Sequence, residues 1–141
     1  IAGHFCIDAF APVSPLPVVD MMVALKAALA AGGMARVGVL GTATVMATGM
    51  YGKLGDVAVM APAGDALGRV HDAYVATATT GKATPEARAV FFEAGRALVA
   101  GGAEAVLLGG TDLAVAFEGH DCGFAVVDCA EIHIDAVAGR I

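Results

Sequence analysis

The sequence predicts an α/β domain in which helices flank a mostly parallel β-sheet. Short apolar runs of the kind found in buried strands alternate with longer segments of helical periodicity, and the connections between them are short. Aromatic residues make up only 6% of the chain and tryptophan is absent, which argues against an aromatic-rich β-sandwich. With 141 residues, 58% of them hydrophobic, the chain is long enough for one domain with a substantial core and too apolar for disorder.

The elements predicted for the first half of the chain begin and end at recognisable residues. The stretch RVGVLG, 36–41, is a nearly continuous apolar run typical of a strand buried on both faces. Pro17 stands near the start of another apolar run, where its missing N–H is tolerated, and Gly32 follows a segment of good helix formers as an expected helix end. The predicted elements of this half are a short helix at 7–13, strands at 16–21, 36–41 and 56–62, and helices at 22–31 and 65–79.

The second half continues the alternation. Thr84 followed by Pro85 is the expected start of a helix, because threonine caps helices well and proline suits their first position. Apolar side chains then recur at helical spacing until a pair of glycines ends the pattern. Asp128 is the expected N-cap of a last helix. The predicted strands of this half are 104–110 and 123–128.

The charge pattern argues against nucleic acid and membrane partners. The net charge is −6 and the eight Lys and Arg residues are scattered singly, so no basic stripe is available to neutralise phosphates. The longest uncharged stretch, 37–52, is interrupted by glycines and threonines and does not qualify as a membrane span. We therefore expect neither nucleic acid nor a membrane as a partner.

The cysteines indicate a reducing compartment. The chain has three, Cys6, Cys122 and Cys129, with no CxxC pair, so free thiols and a cytoplasmic location are expected. Each has a histidine nearby in the sequence, which raises zinc binding as an alternative, but the spacings match no standard closed site and we expect no metal. Cys6 is a candidate nucleophile or base, whereas buried and unreactive thiols are expected at Cys122 and Cys129.

Two loops at predicted strand ends carry the candidate binding residues. Ligands of parallel α/β sheets bind beyond the carboxyl ends of the strands. The loop that begins at Gly41 presents the hydroxyls of Thr42 and Thr48 at the start of a helix, where unpaired N–H groups suit a carboxylate or phosphate. In the second loop, two glycines are followed by Thr111 and Asp112. For each loop the alternative is an ordinary capped turn without a ligand.

Three stretches of the sequence together resemble the aspartate/glutamate racemase family. They are RVGVLGTATVMATGMY, GKATPEARAVFFEAGRALVAGGAEAVLLGGTDL and FAVVDCAEIHIDAVA. The family shows a strand ending in Gly-Thr with a later Ser or Thr and a Tyr, then Gly-Ala-Glu-(apolar)-Gly-Cys-Thr-Glu-Leu, then Asp-(Ser/Thr)-x-x-Ile-His. The motifs match in order and at similar spacing over most of the chain from about Leu16 onward.

The resemblance implies one lobe of a two-lobed α/β fold, plus part of the other lobe, with the active site in the cleft between them. On that basis residues 1–15 are a remnant of the N-terminal lobe, residues 16–118 form the racemase-like lobe, and residues 119–141 return to the N-terminal lobe through a final helix. We expect a further segment of the N-terminal lobe to precede Ile1.

The resemblance also implies a chemistry that needs no cofactor. Members of the family take the α-proton of an amino acid from one face and return it on the other, with two cysteines as acid and base. Gly110 stands at the position of the second family cysteine, and Cys6 is the thiol nearest to the expected position of the first, though not in register with it. The residues that match the substrate-binding motifs of the family are Thr42, Thr48, Thr111, Asp112 and His133.

The expected function is that of an amino-acid racemase-like isomerase, acting at the α-carbon of a small carboxylate such as aspartate or glutamate by thiol acid–base proton transfer. Alternatives stay open because Gly110 carries no thiol. One is a catalytically impaired protein that still binds a carboxylate. Another is a one-base decarboxylase or isomerase, or a hydantoin racemase, of the same superfamily. The expected partner is a small carboxylate or amino acid, and the expected assembly is the homodimer common in the family.

Overall fold

A parallel four-stranded sheet forms the centre of the molecule. In the computed structural model, which describes residues 2–140, the strands are β1 (Arg36–Gly41), β2 (Ala58–Met60), β3 (Ala105–Gly109) and β4 (Val126–Asp128). Their order across the sheet is β2-β1-β3-β4, and each neighbouring pair is parallel. The predicted α/β class with a mostly parallel sheet is confirmed.

Helices connect the strands in the described part of the chain. They are α1 (Ile7–Phe10), α2 (Met21–Ala31), α3 (Ala43–Ala47), α4 (Asp65–Thr80), α5 (Pro85–Ala100), α6 (Ala114–Phe117) and α7 (Cys129–Ala138). Thr84 caps α5 and Asp128 caps α7, each by accepting a backbone amide. Both predicted caps are confirmed, because these amides have no partner within the helix. Among the described residues, no helix combines the length and the apolar character needed to cross a membrane.

The strand predicted at 16–21 is wrong. The segment before α2 has no regular structure, and Met21 already begins the helix. The Asp20 side chain accepts a backbone amide of the first helical turn and so acts as the N-cap. The Val19 carbonyl lies 2.8 Å from His133 Nε2. Since these bonds direct the backbone into a helix and toward a side chain, the apolar run joins no strand of the sheet.

The core lies around the two central strands. Val39, Leu40 and Leu107 of β1 and β3 are shielded from solvent, as is Phe91 on α5. α2 packs against α7, and α4 packs against α5. Burial of an apolar side chain of this size typically contributes about 1.5–3 kcal/mol. The stability of the sheet therefore comes mainly from its two inner strands and from the helices that cover them.

The inner strands approach each other closely at their carboxyl ends. Gly41 and Gly109 are paired in register. A Cβ atom on Gly109 would lie 2.7 Å from the Leu40 carbonyl oxygen, and one on Gly41 would lie 2.8 Å from the Gly109 carbonyl oxygen. Both contacts are with backbone, which cannot move aside while the strands stay paired. Glycine at these two positions is therefore a packing requirement of the strand pair.

We expect Gly109→Ala to destabilise the protein by about 1–3 kcal/mol, since the added methyl group overpacks against the backbone of β1. Gly68→Ala is the matched control. Gly68 lies within α4 with nothing near its Cβ direction, and alanine is favoured over glycine in a helix by about 1 kcal/mol. Urea unfolding measures both changes. Equal stability of Gly109→Ala and the wild type would contradict the close approach of the strands.

Candidate functional site

A cavity of about 180 Å³ opens at the carboxyl end of β3. Gly110 and Thr111, which follow β3, form one part of its wall, and His133 on α7 forms another. Among the described residues, Met21 at the start of α2 and His4 also line it, together with the apolar side chains of Leu108, Ala130 and Ile134. Segments distant in sequence thus meet at a strand end, which is where parallel α/β sheets bind ligands.

Three residues that the sequence marks as site residues lie together at this cavity. Gly110, Thr111 and His133 all line it. β3 pairs with β4, and α7 follows β4 directly, so the topology brings the first turns of α7 next to the end of β3. Their role in binding a substrate stays a prediction.

Two histidine rings contact each other in the wall of the cavity. The ring centroids of His4 and His133 are 5.7 Å apart, and the rings meet edge to face at 79°. His4 Nε2 accepts the Met21 amide at 3.3 Å, so this nitrogen carries no proton. His133 Nε2 lies 2.8 Å from the Val19 carbonyl oxygen, which only accepts hydrogen bonds, so this nitrogen carries one. Because a neutral imidazole carries one hydrogen, and Nε2 of His4 is the acceptor, the hydrogen of His4 is on Nδ1.

A tyrosine of α4 is bonded to the loop after β3. The Tyr74 hydroxyl donates to Asp112 Oδ2 at 2.9 Å, and the Thr111 hydroxyl lies 3.4 Å from the same oxygen. Burial, followed by the hydrogen bond and the negative charge of Asp112, raises the pKa of Tyr74 to about 12. The phenol therefore stays protonated at neutral pH and serves as a donor to Asp112.

The hydroxyls of the first predicted loop are used within that loop. Thr42 Oγ1 accepts the Val45 amide at 3.3 Å and begins α3. Thr48 Oγ1 donates to the Thr44 carbonyl at 2.7 Å and accepts the Tyr51 amide at 3.0 Å. Neither Thr42 nor Thr48 lines the cavity. These contacts are those of an ordinary capped turn, so substrate binding by Thr42 and Thr48 stays a prediction that no contact here supports.

Sequence reasoning does not identify two residues of α4 that contact both strand-end loops. His71 Nδ1 accepts the Ala43 amide at 3.1 Å in the loop after β1, and Tyr74 bonds to Asp112 in the loop after β3. The available signal is the i, i+3 spacing of the two rings, which puts them on one face of the helix. Nothing in the sequence indicates that this face turns toward the strand ends.

None of the three cysteines lines the cavity. Cys6 is exposed, and its Sγ donates to the Gly3 carbonyl at 3.4 Å. Cys122 and Cys129 are buried, as expected. Burial, with a smaller effect of the Asp128 charge, raises the pKa of Cys129 to about 12, so this thiol is protonated at neutral pH. In the part of the chain that the structure describes, no three His, Cys, Asp or Glu side chains are grouped so as to hold a metal ion.

Comparisons with known proteins point to one family. A family model described as Asp/Glu/hydantoin racemase matches residues 2–137. Among solved structures, the chain is similar to a candidate Asp/Glu racemase from Yersinia pestis, with a TM-score of 0.87 and 22% identity. It is also similar to an aspartate racemase homologue from Pyrococcus horikoshii OT3 (0.80, 21%) and to the aspartate racemase of Picrophilus torridus (0.70, 20%). No curated protein matches the chain.

These three neighbours are longer than the chain. The alignments cover 99%, 99% and 96% of this chain but only 62%, 62% and 57% of the neighbours, in the same order. The chain thus spans less than two thirds of the length of each. At these identities the likeness shows the shared fold.

Asp112→Asn is expected to lower the pKa of Tyr74 from about 12 without returning it to the model-compound value of 10.0. The variant loses the negative charge that opposes phenolate formation, but burial, the largest cause of the raised pKa, remains. A pH titration of phenolate absorbance measures the change, and Tyr74→Phe shows which of the two tyrosines is titrating. An unchanged titration in Asp112→Asn would contradict the bond between the two side chains.

Proposed function

Since the chain belongs to the Asp/Glu/hydantoin racemase family, we propose that it is a cofactor-independent, racemase-like isomerase acting at the α-carbon of a small carboxylate such as aspartate or glutamate. The observation that supports the proposal is the cavity beside Gly110, Thr111, His4 and His133. Its volume of about 180 Å³ lies below the roughly 300–1,000 Å³ typical of pockets for drug-sized ligands. That size favours a small acid.

The wall of the cavity offers donors suited to a carboxylate. The Thr111 hydroxyl lies at this wall, and Gly110 also borders the cavity. Donors directed at the substrate carboxylate would also stabilise the negative charge that develops as the α-proton leaves.

In the proposed reaction a thiolate takes the α-proton. The C–H bond breaks, its electron pair is delocalised into the carboxyl group, and an S–H bond forms. Cys6 is the proposed thiol because it is exposed and lies just after His4 in the chain, whereas Cys122 and Cys129 are buried. Its sulfur does not line the cavity, so the reaction requires the segment that carries it to move closer.

Gly110 supports a second candidate, a protein that binds a carboxylate without racemising it. The resemblance puts the family's second cysteine at this position, which has no side chain and can neither give nor take a proton. A site with one thiol would move a proton at one face of the α-carbon, as a one-base decarboxylase or isomerase does. A hydantoin racemase of the same superfamily is the remaining alternative. If no thiol reaches the cavity, the protein can bind a carboxylate but cannot transfer its α-proton.

We also propose a cytoplasmic location and a homodimer. Free thiols at all three described cysteines suit a reducing compartment. The homodimer rests on the resemblance to the racemase family, in which dimers are common. Sedimentation over a concentration series tests the dimer, and a monomer at every concentration would contradict it.

The protein is expected to exchange the α-hydrogen of aspartate for deuterium in deuterated water, because abstraction and return of the proton pass through solvent-accessible thiol. Mass spectrometry of recovered aspartate measures the exchange. Cys6→Ser is expected to abolish it, since a serine hydroxyl is a far weaker acid than a thiol.

The matched control for that experiment is Cys122→Ser. Cys122 lies away from the cavity and its Sγ donates to the Phe124 carbonyl at 3.3 Å, a bond that serine can retain. This variant should exchange aspartate at the wild-type rate. Binding of aspartate by the wild type without any exchange would contradict the isomerase and support the carboxylate-binding candidate.

A further inference from the structure

The backbone at Gly110 does not itself require glycine. Its φ of −173° and ψ of 139° are extended values that any residue adopts. The obstacle to a larger residue at position 110 is the side chain of Tyr74. A Cβ atom on Gly110 would lie 2.5 Å from Tyr74 Cε2, 2.6 Å from the Tyr74 hydroxyl oxygen and 2.8 Å from Cζ. The glycine at this position is therefore demanded by one tyrosine ring.

The obstacle at Gly110 differs in kind from the obstacle at Gly109. At Gly109 a Cβ atom would meet the Leu40 carbonyl oxygen of the paired strand, which is fixed by the sheet. At Gly110 it would meet the far end of a side chain on α4. Such a group can be removed by a substitution without disturbing the backbone of either strand, so the two positions are separable by experiment.

Tyr74 is held where it excludes a side chain at 110. α4 packs against the short turn that follows β3. From the helix, the ring reaches the loop, and its hydroxyl donates to Asp112 Oδ2 at 2.9 Å. The ring is thus held by α4 at one end and by Asp112 at the other, and rotating it away from Gly110 would break the hydrogen bond to Asp112. An unattached tyrosine would yield to a new side chain at far lower cost.

We infer that Tyr74 occupies the space of the side chain at position 110 and thereby restricts the site to proton transfer at one face of the α-carbon. While the ring is held in place, any larger residue at 110 is disfavoured, so position 110 contributes no acid–base side chain. The chemical part of this inference rests on the proposed proton transfer at the α-carbon, in its one-base form. The competition between the side chains of residues 74 and 110 for the same space is independent of any reaction.

Tyr74 is in this view a specificity-determining residue, and it does not replace the missing thiol as a base. Its hydroxyl donates to Asp112, and Tyr74 does not line the cavity. Exchange at one face replaces the α-hydrogen of a substrate with a solvent hydrogen and keeps the configuration. Inversion requires a second acid–base group at the opposite face.

A set of variants tests the competition for space through stability. Gly110→Cys alone is expected to shift the unfolding equilibrium about tenfold or more toward the unfolded state, as overpacking does. In a Tyr74→Ala background the same cysteine should cause little further loss, because the ring is gone. In a Tyr74→Phe background an intermediate loss is expected, since Cε2 and Cζ still obstruct the Cβ position but the ring is no longer held by Asp112. Additive effects of Gly110→Cys and Tyr74→Ala would overturn the inference.

The stereochemistry of exchange supplies the second readout. Starting from L-aspartate in deuterated water, the wild type is expected to exchange the α-hydrogen with retained configuration. The double variant Gly110→Cys/Tyr74→Ala is expected to form D-aspartate roughly 100-fold faster than the wild type, the effect of one acid–base group. Inversion by the wild type as fast as its exchange would overturn the inference.

The two readouts separate this inference from the proposed function. Non-additive stability effects together with no exchange in any protein would uphold the competition between residues 74 and 110, and would count against the proposed reaction. If Gly110→Cys does not fold but the double variant does, the competition is shown directly. If neither folds, Gly110→Ala with and without Tyr74→Ala repeats the stability test with the smallest side chain.

Discussion

The close approach of β1 and β3 at their carboxyl ends is the constraint on which the candidate site depends. Because Gly41 and Gly109 lack side chains, the two strands stay paired to their last residues, and the loops that follow leave the sheet side by side. One helix, α4, can then contact both loops, with His71 at the first and Tyr74 at the second. A side chain at either glycine would meet the backbone of the paired strand and so disturb the strand ends from which both loops leave.

The backbone sets most of the chemistry that the cavity offers. The Met21 amide and the Val19 carbonyl orient His4 and His133 and select their tautomers, while Asp112 orients Tyr74. These bonds use the hydrogens of His133 Nε2 and of the Tyr74 hydroxyl, so they fix the side chains and the loop around the cavity and leave the Thr111 hydroxyl as the side-chain donor proposed for a carboxylate. No cysteine lines the cavity. Membership of the family therefore does not establish which groups transfer the proton, because function depends on the residues of the site.

Local rules account for much of the fold. The apolar run RVGVLG becomes β1, and Thr84 caps α5 as its sequence position predicts. The strand expected at 16–21 fails because an apolar run becomes a strand only if a partner strand accepts it, and Asp20 begins a helix there instead. At the site, the strand-end rule and the family motif identify residues that do lie at the cavity. Tyr74 could not be found this way, since which face of α4 turns toward the strand ends is decided by packing between distant segments.

The central claim is that a small carboxylate binds in the cavity at the end of β3. An aspartate titration of isotope-labelled protein, followed residue by residue with NMR, tests it most directly. The largest shift changes are predicted at the amides of Gly110 and Thr111 and at the His133 ring, all of which line the cavity. Little change is predicted at the separate groove lined by Glu118 and Glu131. Changes centred on that groove, or spread evenly over the surface, would contradict the claim.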